Sequence, residues 1–350
     1  MPAISSSELS RFVRETLCAA GVSFNAAAVT ASSLVAANLR GVDSHGVRLL
    51  PTYLVQLRAG DLDASASGCV VSESGACLLY DAQNGIGQVT AARCCDHAVR
   101  LAASYGMGFV TARNANHFGT AAYWGSRIAA HDAIAMVACN ASRLVAPWQG
   151  REPRMGTNPI CIALPAPWLL DMSTTAVAAN KIFSALDRKE ETIPDGWALD
   201  GAGAPTNDPR EAMRGSVLPL GGPVAGHKGS GLAAAVEILT AVLAGGAMAG
   251  EIGSMRQRGK PVGVSHMFLA IGVERFMPIK EFQTRMNRFV ADLKSSQPGQ
   301  GYSEVLAAGE PERRIERERR ENGIPLPPEV WEALLRAGGE FGVAAPVEKK

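Results

Sequence analysis

The chain is predicted to be an α/β protein with a mixed or parallel sheet covered by helices, and three observations lead there. Short apolar runs (CLLY, GFVTA, IAMVA, ICIAL, WLLD) recur from about residue 69, separated by alanine-rich stretches of helical length. The first forty residues carry helix-spaced apolar positions instead, and helix-like segments return after Pro278. A length of 350 residues is enough for one large or two medium cores.

Taken in order, Ser5 with Glu8 forms a capping box opening a first helix through Leu9, Phe12, Val13 and Leu17, and Val29, Leu34, Val35 and Leu39 mark a second. Residues 231–250 are apolar apart from Glu237 and imitate a membrane span. Their apolarity comes largely from Ala and Gly, Gly245 and Gly246 stop the helix early, and about 20 residues are needed to cross, so a buried helix is expected. KEFQTRMNRFVADLK, PERRIERERRENG and VWEALLRA supply the last helices, the mixed Glu and Arg run of the second reading as a solvated face.

Hydrophobic residues make up 47% of the chain, and 34 basic side chains face 33 acidic ones, so no bulk field exists to collect nucleic acid or an anionic membrane. The seven cysteines form no CxxC pair and no cluster with histidine, which suits free thiols in a reducing cytosol and gives no metal-ligand set. The N-terminus lacks a basic head followed by an apolar core, so no signal peptide is expected and the protein is placed in the cytoplasm.

Two glycine-rich motifs mislead. Gly85-Ile-Gly87-Gln-Val-Thr90 follows a strand-like run as a dinucleotide fingerprint would, but the third glycine is absent, and the glycines are read as a turn. GGPVAGHKGS resembles a phosphate loop, yet His227 separates Gly226 from Lys228 and the order fails. What remains is a loop of backbone donors with a lysine before a helix that starts near Ser230, a general anion cradle.

The chemistry concentrates on two histidines. His45 in Arg40-Gly-Val-Asp-Ser-His-Gly-Val-Arg48 stands between a serine and two glycines that allow close approach. Ser44 can bond substrate or imidazole, Arg48 can fork onto a carboxylate, and Tyr53 can reach the same anion. His117 follows the GFVTA strand in NHFG, where chain ends present catalytic groups. Hydride addition to a carbonyl or imine needs a proton on the heteroatom, which histidine supplies near neutral pH. His97, His131 and His266 lack such neighbours and read as structural.

Cofactor contacts are expected in two further places. After the strand ending at Asp171, the residues Met172, Ser173 and Thr174 lead into an alanine-rich helix that hydroxyls would cap, and the other place is His227, Lys228 and Gly229. Thr157 and Asn158, in the tight turn GTNP, are expected to face a small-molecule ligand.

In this order the segments GVDSHGVRLLPTY, NGIGQ, NHFGTAAYW, APW, GTNP, LDMSTT, GWALD, PTNDP, GHKGSGLA, AAGEPE and GIPLPPEV resemble the type-2 malate/L-lactate dehydrogenase family over most of the chain. The resemblance implies a homodimeric, non-Rossmann oxidoreductase with a mixed-sheet nicotinamide-binding domain. It uses NAD or NADP to move a hydride on a small 2-oxo or 2-hydroxy acid. Ureidoglycolate and cyclic-imine 2-carboxylates are the alternative substrates, and a metabolite-binding dimer without turnover is the non-enzyme alternative. It implies His45 and His117 as catalytic, Arg48 and Tyr53 as contacts to the substrate carboxylate, and Asn140, Asp171 to Thr174, Lys228, Gly229, Gly309 and Glu310 as cofactor contacts. The helical segments form a second domain, with residues 1–118 and 290–350 for substrate and dimerisation and 119–289 for nicotinamide. Gln149 stands where the family carries a glycine after APW, and Ala307-Ala308 where Leu or Val and Pro are usual.

Overall fold

The computed structural model describes residues 1–255 and 257–349. The chain starts with α1 (Ser6–Ala19) and α2 (Phe24–Leu39). The Ser5 hydroxyl accepts the Glu8 amide at 3.2 Å, the cap its position foretold. A third helix, α3 (Leu50–Ala59), carries Pro51 in its first turn and stops at Gly60, whose φ of 73° ends the helix. Leu9, Phe12, Leu34 and Leu50 from these helices share a core with Ile324, Leu326 and Leu334, so the two ends of the chain pack as one body. Ala3 and Ile4 pair antiparallel with Pro325 and Ile324, closing it.

Seven strands among the described residues make the central sheet. They are β1 (Cys69–Ser74), β2 (Cys77–Asp81), β3 (Met107–Ala115), β4 (Ala133–Cys139), β5 (Ile160–Ala163), β6 (Leu169–Met172) and β7 (Val264–Gly272). Their order across the sheet is β1, β2, β3, β7, β4, β5, β6. Only β2 and β3 run parallel, joined by the crossover helix α4 (Gly87–Tyr105), and every other neighbour is antiparallel, so the sheet is mixed. The sheet is continuous across residue 118 in sequence. β7 comes from far along the chain to sit at the centre, placing Met267 between Thr111 and Ala138.

One face is covered by α4 and α5 (Ala121–Ala129) around Trp124, Phe118, Phe268, Leu101 and Ile128. The other is covered by α7 (Gly222–Glu237), whose Val236 meets Ala138, Ile160 and Met267, after a short α6 (Ala179–Asp187). The apolar stretch at 231–250 is divided accordingly. Helix α7 passes into a π-turn at Ile238–Val242, and Gly245 at φ 63° ends it. No helix among the described residues is long and apolar enough to cross a membrane. Three long helices follow, α8 (Ile279–Lys294), α9 (Glu310–Asn322) and α10 (Pro328–Glu340).

Candidate active site

The two histidines sit 72 positions apart in sequence and meet in space. The His45 and His117 rings stack with centroids 5.5 Å apart and planes 25° from parallel. His45 lies in a short 3₁₀ turn, Asp43–His45, that leaves the C-terminus of α2. That turn presses on Asn38, whose side-chain oxygen accepts the Val47 amide at 2.8 Å and whose amide donates to Asp43 at 2.6 Å. A Cβ on Gly46 would stand 2.1 Å from the same oxygen, so the glycine after the histidine is required by close approach. His117 follows β3. The backbone carbonyls of Asn116 and His117 would lie 2.3 Å from a Cβ on Gly87, the first residue of α4. The NGIGQ motif therefore does more than make a turn, since its second glycine lets a helix begin against the His117 backbone.

Hydrogen bonds fix how the His117 ring carries its proton. Gln88 Nε2 donates to the Tyr53 hydroxyl at 2.9 Å, so Tyr53 donates its own proton to His117 Nδ1 at 2.7 Å. The Gly119 amide also donates to Nδ1, at 3.3 Å. With Nδ1 accepting from both, the neutral ring of His117 holds its hydrogen on Nε2. Ser44 Oγ lies 2.9 Å from His45 Nδ1, which leaves Nε2 of His45 unengaged among the described residues.

Burial depresses both imidazoles. It lowers His117 to about 3, helped by the charges of His45 and His266, and lowers His45 from 6.5, helped by the nearby Arg48 cation. Burial likewise raises the Tyr53 phenol, with Gln88 partly opposing, so Tyr53 stays a protonated donor at neutral pH. Arg48 itself is exposed and forms no ion pair among the described residues. Tyr53 is buried, with its hydroxyl engaged by Gln88 and His117.

Two of the other expected residues, Asn140 and Asn158, meet at Glu237 of α7. Its carboxylate accepts Asn140 Nδ2 at 3.1 Å and the Ala249 amide at 2.9 Å through one oxygen, and Asn158 Nδ2 at 2.9 Å through the other. Asn140 also accepts the Ser265 amide at 2.7 Å, at the irregularity where β7 shifts register against β3. Asn158 is fully buried at φ 35°, its oxygen taking the Ala141 amide, so its side chain is spent on holding the GTNP turn. Beside it, the Thr157 carbonyl accepts both the amide and the hydroxyl of Thr174.

Three local expectations need correction. Helix α6 begins at Ala179 with no side-chain cap, so the LDMSTT hydroxyls do not cap it. Thr174 bonds to Thr157, while Ser173 shares a 2.7 Å bond with Thr175, because this segment is held by the GTNP turn and by the Leu220 amide. His227, Lys228 and Gly229 do not precede a helix but lie within α7, just after its break at Ala225. The charged face of α9 is not merely solvated, since Arg319 reaches Asp43 in the turn that carries His45.

Asp171 takes the Ala122 amide at 2.9 Å, capping α5 directly after the His117 loop. Desolvation raises its carboxyl to about 6 against the opposing pull of the Ala122 amide and the Arg40 charge. Met172 packs beside the Val236 and Met267 cluster. Gly309 precedes α9 at φ 79°, and Glu310 is occupied by Lys294, the Ala307 amide and Arg314, which hold its carboxyl down to about 2. Gln149 sits at φ 65°, the conformation for which a glycine is better suited.

A nicotinamide dinucleotide needs cations for its diphosphate and polar groups for its riboses and carboxamide. The donor set fits. Lys228 is exposed with no ion pair among the described residues, His227 packs edge-on to Trp148 at 5.8 Å, and the Thr157 hydroxyl has no hydrogen-bond partner among them. Sequence reading missed Gln88, Asn38, Glu237 and Arg319. Gln88 left a signal as the polar residue closing NGIGQ, and Glu237 left one as the lone charge in the apolar stretch 231–250.

Comparison with known proteins agrees. The family model for malate/L-lactate dehydrogenase matches residues 4–335. L-sulfolactate dehydrogenase of Methanocaldococcus jannaschii is 36% identical over 327 residues, 92% of each chain. (2R)-3-sulfolactate dehydrogenase (NADP(+)) of Chromohalobacter salexigens is 38% identical over 74% of this chain and 77% of its own. The crystal structure of malate dehydrogenase from Entamoeba histolytica superposes with a TM-score of 0.94 at 28% identity, covering 99% of both chains. The chain thus belongs to the malate/L-lactate dehydrogenase family, oxidoreductases that use NAD or NADP to transfer hydride on small 2-hydroxy and 2-oxo acids.

Proposed function

We propose that His45 moves the proton in this reaction while His117 acts as a neutral hydrogen-bond donor to the same substrate oxygen, with Arg48 holding the substrate carboxylate. The observation that carries this is the chain from Gln88 through Tyr53 to His117 Nδ1, which leaves an N–H on the far side of that ring. A ring depressed to about 3 is a poor carrier of a proton but a good fixed donor. His45 keeps Nε2 available, and Ser44 steadies its Nδ1. In oxidation the C2 hydroxyl proton passes to His45 Nε2 as C2 loses hydride, and in reduction the proton returns to the oxygen. The nicotinamide supplies or takes the hydride when bound. His227, Lys228, Ser173 and Thr157 are the residues proposed to hold it.

The substrate proposed is a 2-hydroxy acid with a second anionic group, malate or sulfolactate, as in the names of the relatives. Mixing the protein with NAD or NADP and a panel of malate, sulfolactate, lactate and ureidoglycolate, and with reduced cofactor and cyclic imines, tests this through nicotinamide absorbance. Turnover is expected with the dianionic acids. A complex that forms without turnover across the panel makes the protein a binder instead. Because burial and Arg48 hold His45 below 6.5, the base form already dominates at neutral pH. The acid limb of kcat/KM for oxidation is therefore expected below pH 6.5, and a limb at or above that value removes His45 as the base.

A homodimer is proposed as well. Helix α8 aligns Ile279, Phe282, Met286, Phe289, Val290 and Leu293 on one stripe yet buries none of them, and Phe276 before it is 76% exposed. A second copy covers that stripe, and sedimentation equilibrium is expected to give twice the chain mass. A cytoplasmic setting suits the free cysteines. The split into residues 1–118 with 290–350 and 119–289 is proposed as a division of roles, the sheet itself crossing residue 118.

A further inference from the structure

Helix α9 lies across the start of the catalytic loop and touches it three times from one face. Ile315 packs on Gly41, where an added Cβ would stand 2.9 Å from its Cδ1. Glu316 pairs with Arg40 at 3.7 Å. One turn further on, Arg319 forks onto Asp43, with Nη1 to Oδ1 at 2.6 Å and Nη2 to Oδ2 at 3.0 Å, and Nη1 also donates to the Asn38 carbonyl. The Arg319 side chain is only 15% exposed, unlike an ordinary surface arginine. Asp43 is the first residue of the turn that ends in His45, and it also takes the Asn38 amide. Asn38 in turn anchors Val47 beyond the histidine. Every side-chain hydrogen bond to the Asp43–Val47 turn outside Ser44 and His45 therefore runs through Asn38 or Arg319 among the described residues.

We propose that Arg319 is a positioning residue for the reaction. Its bidentate grip on Asp43 sets the height and rotation of the turn that carries His45, without contact to substrate or nicotinamide. The inference rests on the role of His45 proposed above. A two-point fork fixes a carboxylate plane as well as its distance, which a lysine point charge does not. Small displacements of a catalytic group are costly, a shift near 1 Å being worth about 10²-fold in rate.

The test compares Arg319→Ala, Arg319→Lys and the exposed neighbour Arg320→Ala. Arg319→Ala is expected to lose about 10- to 100-fold in kcat with its KM for nicotinamide unchanged, and added guanidinium, well below unfolding concentrations, to restore part of it. Arg319→Lys is expected to fall between, with a thermal midpoint near wild type, and Arg320→Ala to match wild type. Wild-type kcat in either Arg319 variant overturns the proposal, as does a loss in Arg319→Ala that guanidinium leaves untouched. If the alanine variant does not fold, the lysine variant decides alone. Should the wild-type protein turn over no substrate, the reading of its function fails and the grip is judged separately, from the nitrogen resonances of the His45 ring. These are expected to shift in Arg319→Lys, and unchanged resonances overturn it.

Discussion

His45→Ala is expected to lower kcat by about 10²- to 10⁴-fold while the dissociation constant for NAD or NADP stays near wild type. The loss is expected on kcat because the role proposed for this imidazole is to move a proton rather than to bind. His117→Ala is expected to lose about 10²-fold or more by a different route, since it removes the Nε2 donor and empties the space that Tyr53 and Gly119 now fill with hydrogen bonds. His117→Gln returns a donor near the same place and is expected to recover part of that loss, whereas His45→Gln restores nothing because an amide does not accept and return a proton. Steady-state kinetics with nicotinamide fluorescence titration separates the two. Wild-type turnover in both alanine variants removes the pair from the mechanism.

The second large effect belongs to Arg48. It is exposed and free of ion pairs among the described residues, and in the proposed role it is desolvated when a substrate carboxylate closes over it. A charge-assisted fork of that kind is worth roughly 1.5 to 3 kcal/mol, so Arg48→Ala is expected to raise KM for the acid by about 10- to 150-fold. Arg48→Lys keeps the charge and loses the fork, and is expected to land between. Because the Arg48 cation also helps to hold His45 down, the alanine variant shifts the acid limb of kcat/KM toward higher pH. An unchanged KM contradicts the assignment. A KM change without the pH shift leaves Arg48 as a binding group electrically remote from His45.

How far the sequence revealed this site depends on where the determining contacts lie. That His45 and His117 form a converging pair was legible from two loop histidines flanked by glycine, although Gly46 itself serves close packing on Asn38. Their helices and strands were legible from period alone, Ser5 and Glu8 even fixing the first residue of α1. The tautomer of His117 was not, because it is set by Gln88, 35 positions from Tyr53, inside a motif that imitates a dinucleotide fingerprint. Arg319 was hidden in the same manner, as one guanidinium among several on a helix where Arg314 and Arg320 do pair with glutamates one turn away. Asn158 is expected from the sequence to face a ligand, yet at its positive φ the side chain turns inward onto Glu237. The place of β7 in the sheet left no local mark at all, since its partners lie more than 120 residues earlier.

That placement governs how the polypeptide can be born. As the ribosome extends the chain, β3 and β4 emerge long before residue 264, and neither can acquire its inner neighbour until the last quarter of the protein has been translated. For that interval the nascent sheet has a gap down its middle with two raw edges, the kind of surface that invites pairing with a stranger. Completion is a single late insertion of nine residues, long-range by any measure of contact order, and chaperone retention is most valuable while that slot stands open.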